Sequence, residues 1–208
     1  MKIYVKTFIK RIIGPHTRRK IYSLINKSSF SEVDIIYDAI QYDNNFLQSI
    51  MIDVGAHHGD SLEAFARAGW TVYAFEPDPK LVGFIQKSMS QQSPNSAPVT
   101  IVEAAVSKNS GEENFQIASR GRATNKLESA TGSTQMGGIR KVIQVKCVTI
   151  DAMLGLYETP HLVKMDIEGG EFDALQNATE LLSKVRPIIY CELGPGGQSV
   201  LQLLNNAK

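Results

Sequence analysis

From residue 49 onward the chain alternates between short apolar runs and amphipathic stretches. Ser49 to Val54 (SIMIDV) is a near-continuous apolar run, the pattern of a strand buried on both faces of a parallel sheet. Ser61 to Ala68 then predicts a helix, Thr71 to Phe75 a second strand, and Pro79 to about Ser90 a second helix. A polar, proline-containing loop over 91–98 leads to a third strand, Val99 to Val102. Strand, helix, strand, helix, strand implies parallel pairing with right-handed crossovers. Residues 113–118 and 142–149 predict further strands. Between them, 119–141 is a long loop rich in Gly, Ser, Thr, Asn and basic residues, of a length that marks functional or disordered segments. Leu162 to Met165 predicts another core strand. Gly170 to Ser183 predicts a helix with Phe172, Leu175, Leu181 and Leu182 inward, Pro187 to Leu193 a further strand, and the last fifteen residues a final helix. The fold class is α/β, with a doubly wound, mostly parallel sheet.

The first thirty residues differ from this body. They carry Lys2, Lys6, Lys10, Arg11, Arg18, Arg19, Lys20 and Lys27 and no acid, so a chain of net charge +1 leaves −7 on the rest. Ile9, Ile12 and Ile13 share a helical face, Gly14-Pro15 ends that segment, and a second short basic helix is expected over 18–27. A basic helical arm (1–30) in front of a single domain (31–208) is the expected organisation, with residues 1–27 suited to peripheral contact with an anionic membrane surface. The arm lacks the interleaved aromatic residues of nucleic-acid modules, so no nucleic acid is expected. A length of 208 residues, 43% hydrophobic and 21% charged, fits one folded domain. Cys147 and Cys191 lie in apolar stretches and read as buried free thiols. No run reaches the about 18 apolar residues of a membrane span, and no apolar signal-peptide region opens the chain, so a cytoplasmic location is the default expectation.

The sharpest chemical feature is Asp53-Val54-Gly55-Ala56-His57-His58-Gly59, where the first strand turns into the first helix. Gly55 permits a turn that a side chain would obstruct, and Gly59 allows close approach at the helix start. In open parallel sheets, ligands bind at the carboxyl ends of such strands. Glu76 ends the second strand in Ala74-Phe75-Glu76-Pro77-Asp78, about 20 residues beyond the glycine turn, where a carboxylate can accept hydrogen bonds from both hydroxyls of a ribose. Together they point to an adenosine-type ligand. A dinucleotide turn wants Gly-x-Gly-x-x-Gly, whereas the order here is Asp53-x-Gly55-x-x-x-Gly59. S-adenosyl-L-methionine has no pyrophosphate to cradle but carries two cationic groups, and Asp53 adds negative charge at the strand end. That favours S-adenosyl-L-methionine over NAD.

A second cluster lies in Val163-Lys164-Met165-Asp166-Ile167-Glu168-Gly169-Gly170-Glu171-Phe172. Asp166, Glu168 and Glu171 crowd the end of a core strand and the first turn of a helix. Acids there favour the helix dipole, but three exceed what capping needs. They are candidates to hold an ammonium group, orient a substrate hydroxyl or accept its proton. His57 and His58 are adjacent and would point apart on a regular element, so no metal site is expected. One of them is a candidate to line a pocket. Lys164 reads as the structural partner of a nearby acid, His161 as a loop residue, and Glu192, ending the last strand, as a possible substrate contact. The 119–141 loop, with Arg120, Arg122, Lys126, Arg140 and Lys141, suits either a substrate lid or a disordered surface segment.

Four segments in order carry a family resemblance: IDVGAHHGDSLEAFARAGWTVYAFEPDP, VEAAVSKNSGEENF, VKCVTIDAML, and VKMDIEGGEFDAL followed by PIIYCEL. Over roughly residues 49–193 the chain resembles the FkbM methyltransferases. The resemblance implies a Rossmann-like fold of the class I methyltransferase type and binding of S-adenosyl-L-methionine by Asp53, Gly55, Ala56, Gly59 and Glu76. It places Glu103, Ala104 and Ala105 near the adenine and Asp166 beside the methyl group. The chemistry it implies is O-methylation of a sugar, glycan or natural-product hydroxyl, with Asp166, Glu168 and Glu171 as catalytic candidates. A non-catalytic cofactor-binding scaffold and an NAD-dependent oxidoreductase are the alternatives. Oligomeric state and acceptor identity are not legible. Methyltransferases of this fold continue past the fifth strand with a helix and an antiparallel strand pair, whereas this chain ends about fifteen residues after Leu193. The expectation is a sheet short at its C-terminal strands or completed by 113–118 and 142–149.

Overall fold

The computed structural model describes residues 49–130, 137–193 and 197–206. The expected basic helical arm, the membrane contact expected of residues 1–27 and the expected boundary at residue 30 all fall outside these residues. Five strands form an all-parallel sheet: β1 (Ile50–Val54), β2 (Thr71–Phe75), β3 (Val99–Val102), β8 (Leu162–Met165) and β9 (Ile188–Cys191). Their order across the sheet is β3-β2-β1-β8-β9. The order reverses at β1, so the crevice above the carboxyl ends of β1, β2 and β8 is where this topology places a ligand.

Helices cover both faces. On one side Met51, Val72, Ala74 and Leu162 pack with Leu62 and Phe65 of α1 (Leu62–Arg67), Ile85 of α2 (Pro79–Met89) and the fully buried Trp70. On the other, Ile52, Val54, Phe75, Val163, Met165, Ile189 and Cys191 pack with α3 (Ile150–Leu154), α4 (Glu171–Gln176) and α5 (Gly197–Asn206). Successive residues of one strand alternate between the two cores. That is why these strands read as unbroken apolar runs. The alternation also fixes where polar residues of β1 and β8 point: Asp53 shares the face of Met51, and Lys164 that of Leu162.

A second sheet is inserted between β3 and β8. Its strands are β4 (Ala105–Val106), β5 (Gly111–Ala118), β6 (Lys126–Leu127) and β7 (Ile139–Val148), in the order β4-β7-β5-β6. β7 runs parallel to β4 and antiparallel to β5. The expectation that 113–118 and 142–149 complete the main sheet is therefore corrected: they form a sheet of their own. A ten-residue β7 satisfies its ladder against β5 and needs no edge of the parallel sheet. Cys147 and Cys191 are both buried free thiols.

Two further boundaries differ from expectation. The helix expected over Gly170–Ser183 ends at Gln176, and a separate π-helical turn spans Leu181–Val185. Asp151 of α3 accepts hydrogen bonds from the amides of Glu180 (2.9 Å) and Leu181 (3.1 Å), capping that second segment from outside. The short α3 lay unread in the sequence, although Thr149 caps it through Ala152 N–H at 3.2 Å. Among the described residues no helix is long and apolar enough to cross a membrane.

Candidate functional site

The cleft opens where the sequence placed it, at the carboxyl ends of β1, β2 and β8. Its floor and walls include Gly55, His57, Phe75, Glu76, Ala104, Ala105, Asp166, Ile167 and Glu168, and the inserted sheet adds Phe115, Arg122, Asn125 and Leu127. Gly55 has φ +83°, and a Cβ there would meet the Asp166 carbonyl oxygen at 1.9 Å. The β1–α1 and β8–α4 turns thus touch through this glycine. Its amide and that of Ala56 both donate to the Phe75 carbonyl, at 3.0 and 3.1 Å, which ties the turn to the end of β2.

Glu76 is 4% exposed. Its Oε2 accepts from the His57 amide at 2.9 Å and its Oε1 from the Asp78 amide at 2.8 Å. Burial, against those two N–H groups, pushes its carboxyl up to about 7, with the charges of Asp78 and Asp53 adding to the rise. A carboxylate so poorly hydrated gains from hydroxyl donors brought by a ligand.

Asp53 is fully buried and does not line the cleft. Its Oδ1 accepts from Lys164 Nζ at 3.0 Å and its Oδ2 from the Ser61 hydroxyl. Burial alone would lower the Lys164 ammonium pKa; Asp53 and Asp166 outweigh it, so the ammonium is held charged. Ala56 is buried in the α1 core, and Gly59 faces Leu62 and Ile85 rather than the cleft. Glu103 is exposed outside the cleft, while Ala104 and Ala105 form part of its wall.

The three acids of the second motif separate. Asp166 and Glu168 line the cleft; Glu171 does not. Glu171 Oε1 accepts from the amides of Ile167 (3.0 Å) and Gly169 (3.3 Å), closing its own turn. Burial raises its pKa against those N–H groups. Glu168 sits at φ +54°, and burial, then the neighbouring charges of Asp166, Glu192 and Glu171, push its carboxyl up to about 7. His57 also lines the cleft at φ +51°. His161 accepts the Ile50 amide through Nδ1 at 3.1 Å and so starts β1. Among the described residues no His, Cys, Asp and Glu grouping suits a metal ion.

Sequence reading missed the residues that join the inserted sheet to the cleft. Asp78 caps α2 through the Lys80 amide at 3.0 Å. Its other oxygen accepts from Arg122 and, at 2.9 Å, from Asn125 Nδ2, whose Oδ1 takes the Ala118 amide at 2.9 Å. The 119–141 segment is therefore built in part onto the cleft wall, and it contains β6 and the start of β7. Asp78-Pro79 carried a legible cap signal; nothing local pointed to partners 44 and 47 residues away.

These features fit S-adenosyl-L-methionine: a buried carboxylate for a ribose, an apolar wall from Phe75, Leu81, Ala104 and Phe115 for a purine, and carboxylates of Asp166 and Glu168 for cationic groups. Comparison with known proteins agrees. The Methyltransferase FkbM domain matches residues 53–207. Hexuronic acid methyltransferase AglP of Haloferax volcanii is 26% identical over 167 residues, covering 76% of this chain and 62% of AglP, so the chain spans under two thirds of that relative. A methyltransferase FkbM from Methylobacillus flagellatus KT superposes with a TM-score of 0.56 at 17% identity, over 97% of this chain and 50% of that one. Precorrin-6y C5,15-methyltransferase of Geobacter metallireducens GS-15 gives 0.50 at 12% identity, over 87% and 74%. The family match spans most of the chain, from the glycine turn through the last helix, and shows that the chain belongs to the S-adenosyl-L-methionine-dependent FkbM methyltransferases.

Proposed function

We propose that this protein transfers the methyl group of S-adenosyl-L-methionine to a hydroxyl oxygen of a sugar, with a hexuronic acid residue of a glycan as the first candidate acceptor. The observation that carries the reading is Glu76, buried at the carboxyl end of β2 beside the cleft, its two oxygens accepting the His57 and Asp78 amides. There it accepts the two ribose hydroxyls. Ala104 and Ala105 flank the adenine, and Asp166 lies by the sulfonium end. Asp53 acts at one remove by holding Lys164 and Ser61 under the turn. Glu103 and Glu171, respectively outside the cleft and committed to its own loop, have supporting places. The acceptor class rests on the name of the relative, a hexuronic acid methyltransferase.

The cofactor supplies an electrophilic methyl; the protein's contribution is to hold the acceptor oxygen in line with it, a positioning effect that supplies much of the acceleration in such reactions. The test is incubation with methyl-labelled S-adenosyl-L-methionine and a panel of glucuronides, neutral glycosides and small phenols. Label on glucuronides supports the reading. Label on phenols alone, or cofactor binding with no transfer, contradicts it.

A further inference from the structure

His57 brings a titratable imidazole to the cleft wall, beside Glu76 and Asp166. It adopts φ +51°, a conformation uncommon for a residue with a Cβ, and the bond from its amide to Glu76 Oε2 holds it there. Its Nε2 is shielded from water and has no hydrogen-bond partner among the described residues. A buried polar atom without a partner costs roughly 1–3 kcal/mol, so its persistence at a cleft wall points to a partner that arrives with the ligands.

The other ring nitrogen is constrained. His57 Nδ1 lies 2.9 Å from His58 Nδ1, the rings edge to face with centroids 4.0 Å apart. Two nitrogens at that distance share one proton: one donates and the other accepts. His58 is exposed and rests edge-on against Phe84 at 5.1 Å. The pair thus links the cleft interior to solvent.

We propose that His57 Nε2 is the base that receives the proton of the acceptor hydroxyl. The inference rests on the methyl-transfer reading above. In the step, the acceptor oxygen forms a bond to the methyl carbon as the carbon–sulfur electron pair withdraws onto sulfur. The hydroxyl proton moves to His57 Nε2, so the positive charge lost at sulfur appears on the imidazole. His57 then shares its Nδ1 proton with His58, which releases a proton to water. This requires a neutral resting His57 with the proton on Nδ1. Burial, the largest cause, favours that neutral form and Lys164 adds to it, while Asp60 and Asp166 oppose it.

Two readouts are independent of turnover. Nitrogen-15 correlation spectra of the free protein at pH 7 are expected to show His57 neutral, with Nδ1 protonated and Nε2 bare; an Nε2–H tautomer or a charged ring overturns the assignment. In calorimetry, His57→Asn, which tolerates the left-handed backbone, is expected to bind S-adenosyl-L-methionine within about threefold of wild type. A tenfold or greater loss makes His57 a cofactor contact and overturns the base role. With glucuronide as acceptor and saturating cofactor, the same variant is expected to lose about 100-fold or more in kcat, in the range general bases contribute. An equally active variant beside an active wild type overturns this inference alone. A wild-type protein that binds no S-adenosyl-L-methionine overturns the parent reading and this one with it.

Discussion

Lys164 and Asp53 are register partners on neighbouring parallel strands, and their side chains meet at 3.0 Å directly beneath the turn that forms the cleft. The pair explains why acidic and basic residues interrupt two otherwise apolar strands. Removing one member strands the other in a site with little water, which costs about 3–5 kcal/mol. Asp53→Ala is therefore expected to destabilise the fold by that amount in urea denaturation. Combining Asp53→Asn with Lys164→Met is expected to cost less than the sum of the two single changes, since no uncompensated charge remains.

Gly55→Ala confronts both a positive φ and the Asp166 carbonyl at 1.9 Å. Backbone, not a flexible side chain, must move. The expected result is a loss of about 2–4 kcal/mol in stability and no measurable cofactor binding, because the two turns that frame the cleft separate. Gly69→Ala is the control. It carries a similar φ of +87° but has nothing among the described residues within 4 Å of the added Cβ, so it bears only the backbone cost.

The carboxyl of Glu76 sits at about 7 in the folded protein against an ordinary 4.5. A raised folded pKa means the stability this group contributes is fully present below about 4.5 and lost as pH rises through about 7. Ribose hydroxyls donate to the ionised form, so cofactor binding opposes protonation and releases a proton. Affinity is expected to rise by up to about tenfold per pH unit below about 7 and to level off above it. Calorimetry in buffers of different ionisation enthalpy reads the released proton. Glu76→Gln is expected to bind weakly and to lose this part of the pH dependence, leaving only that of Glu168.

Asp78 gathers three donors: the Lys80 amide, Arg122 and Asn125. Asp78→Ala removes a helix cap and releases the inserted sheet from α2. The expected cost is about 2–4 kcal/mol, of which the cap alone accounts for about 1. Hydrogen exchange should show faster exchange at the Ala118 amide, which Asn125 protects, with β1 and β2 unchanged.

The parallel sheet was legible because each strand is buried on both faces, which makes Ile50–Val54 and Thr71–Phe75 stand out as apolar runs between amphipathic helices. Gly55 and Glu76 were legible because a turn glycine and a strand-end acid follow from the topology of ligand binding. The partnership of Asp78 with Arg122 and Asn125 was not, since it depends on how a hairpin folds back over a distance no local pattern encodes. The break after Gln176 was hidden for a similar reason: Asp151, far away in the chain, caps the second segment. Glu171 read as a catalytic acid from its motif, while its geometry commits one oxygen to two amides of its own turn. Side-chain type proposes a role; the donors already occupying it narrow that role.

The most direct test of the account is calorimetric titration of the purified protein with S-adenosyl-L-methionine, repeated with NADH and with the Glu76→Gln variant. Saturable binding of S-adenosyl-L-methionine to the wild type, at least tenfold weaker binding to the variant and no response to NADH are expected. A well-folded wild type that binds NADH but not S-adenosyl-L-methionine, or that binds S-adenosyl-L-methionine equally well without Glu76, would contradict it.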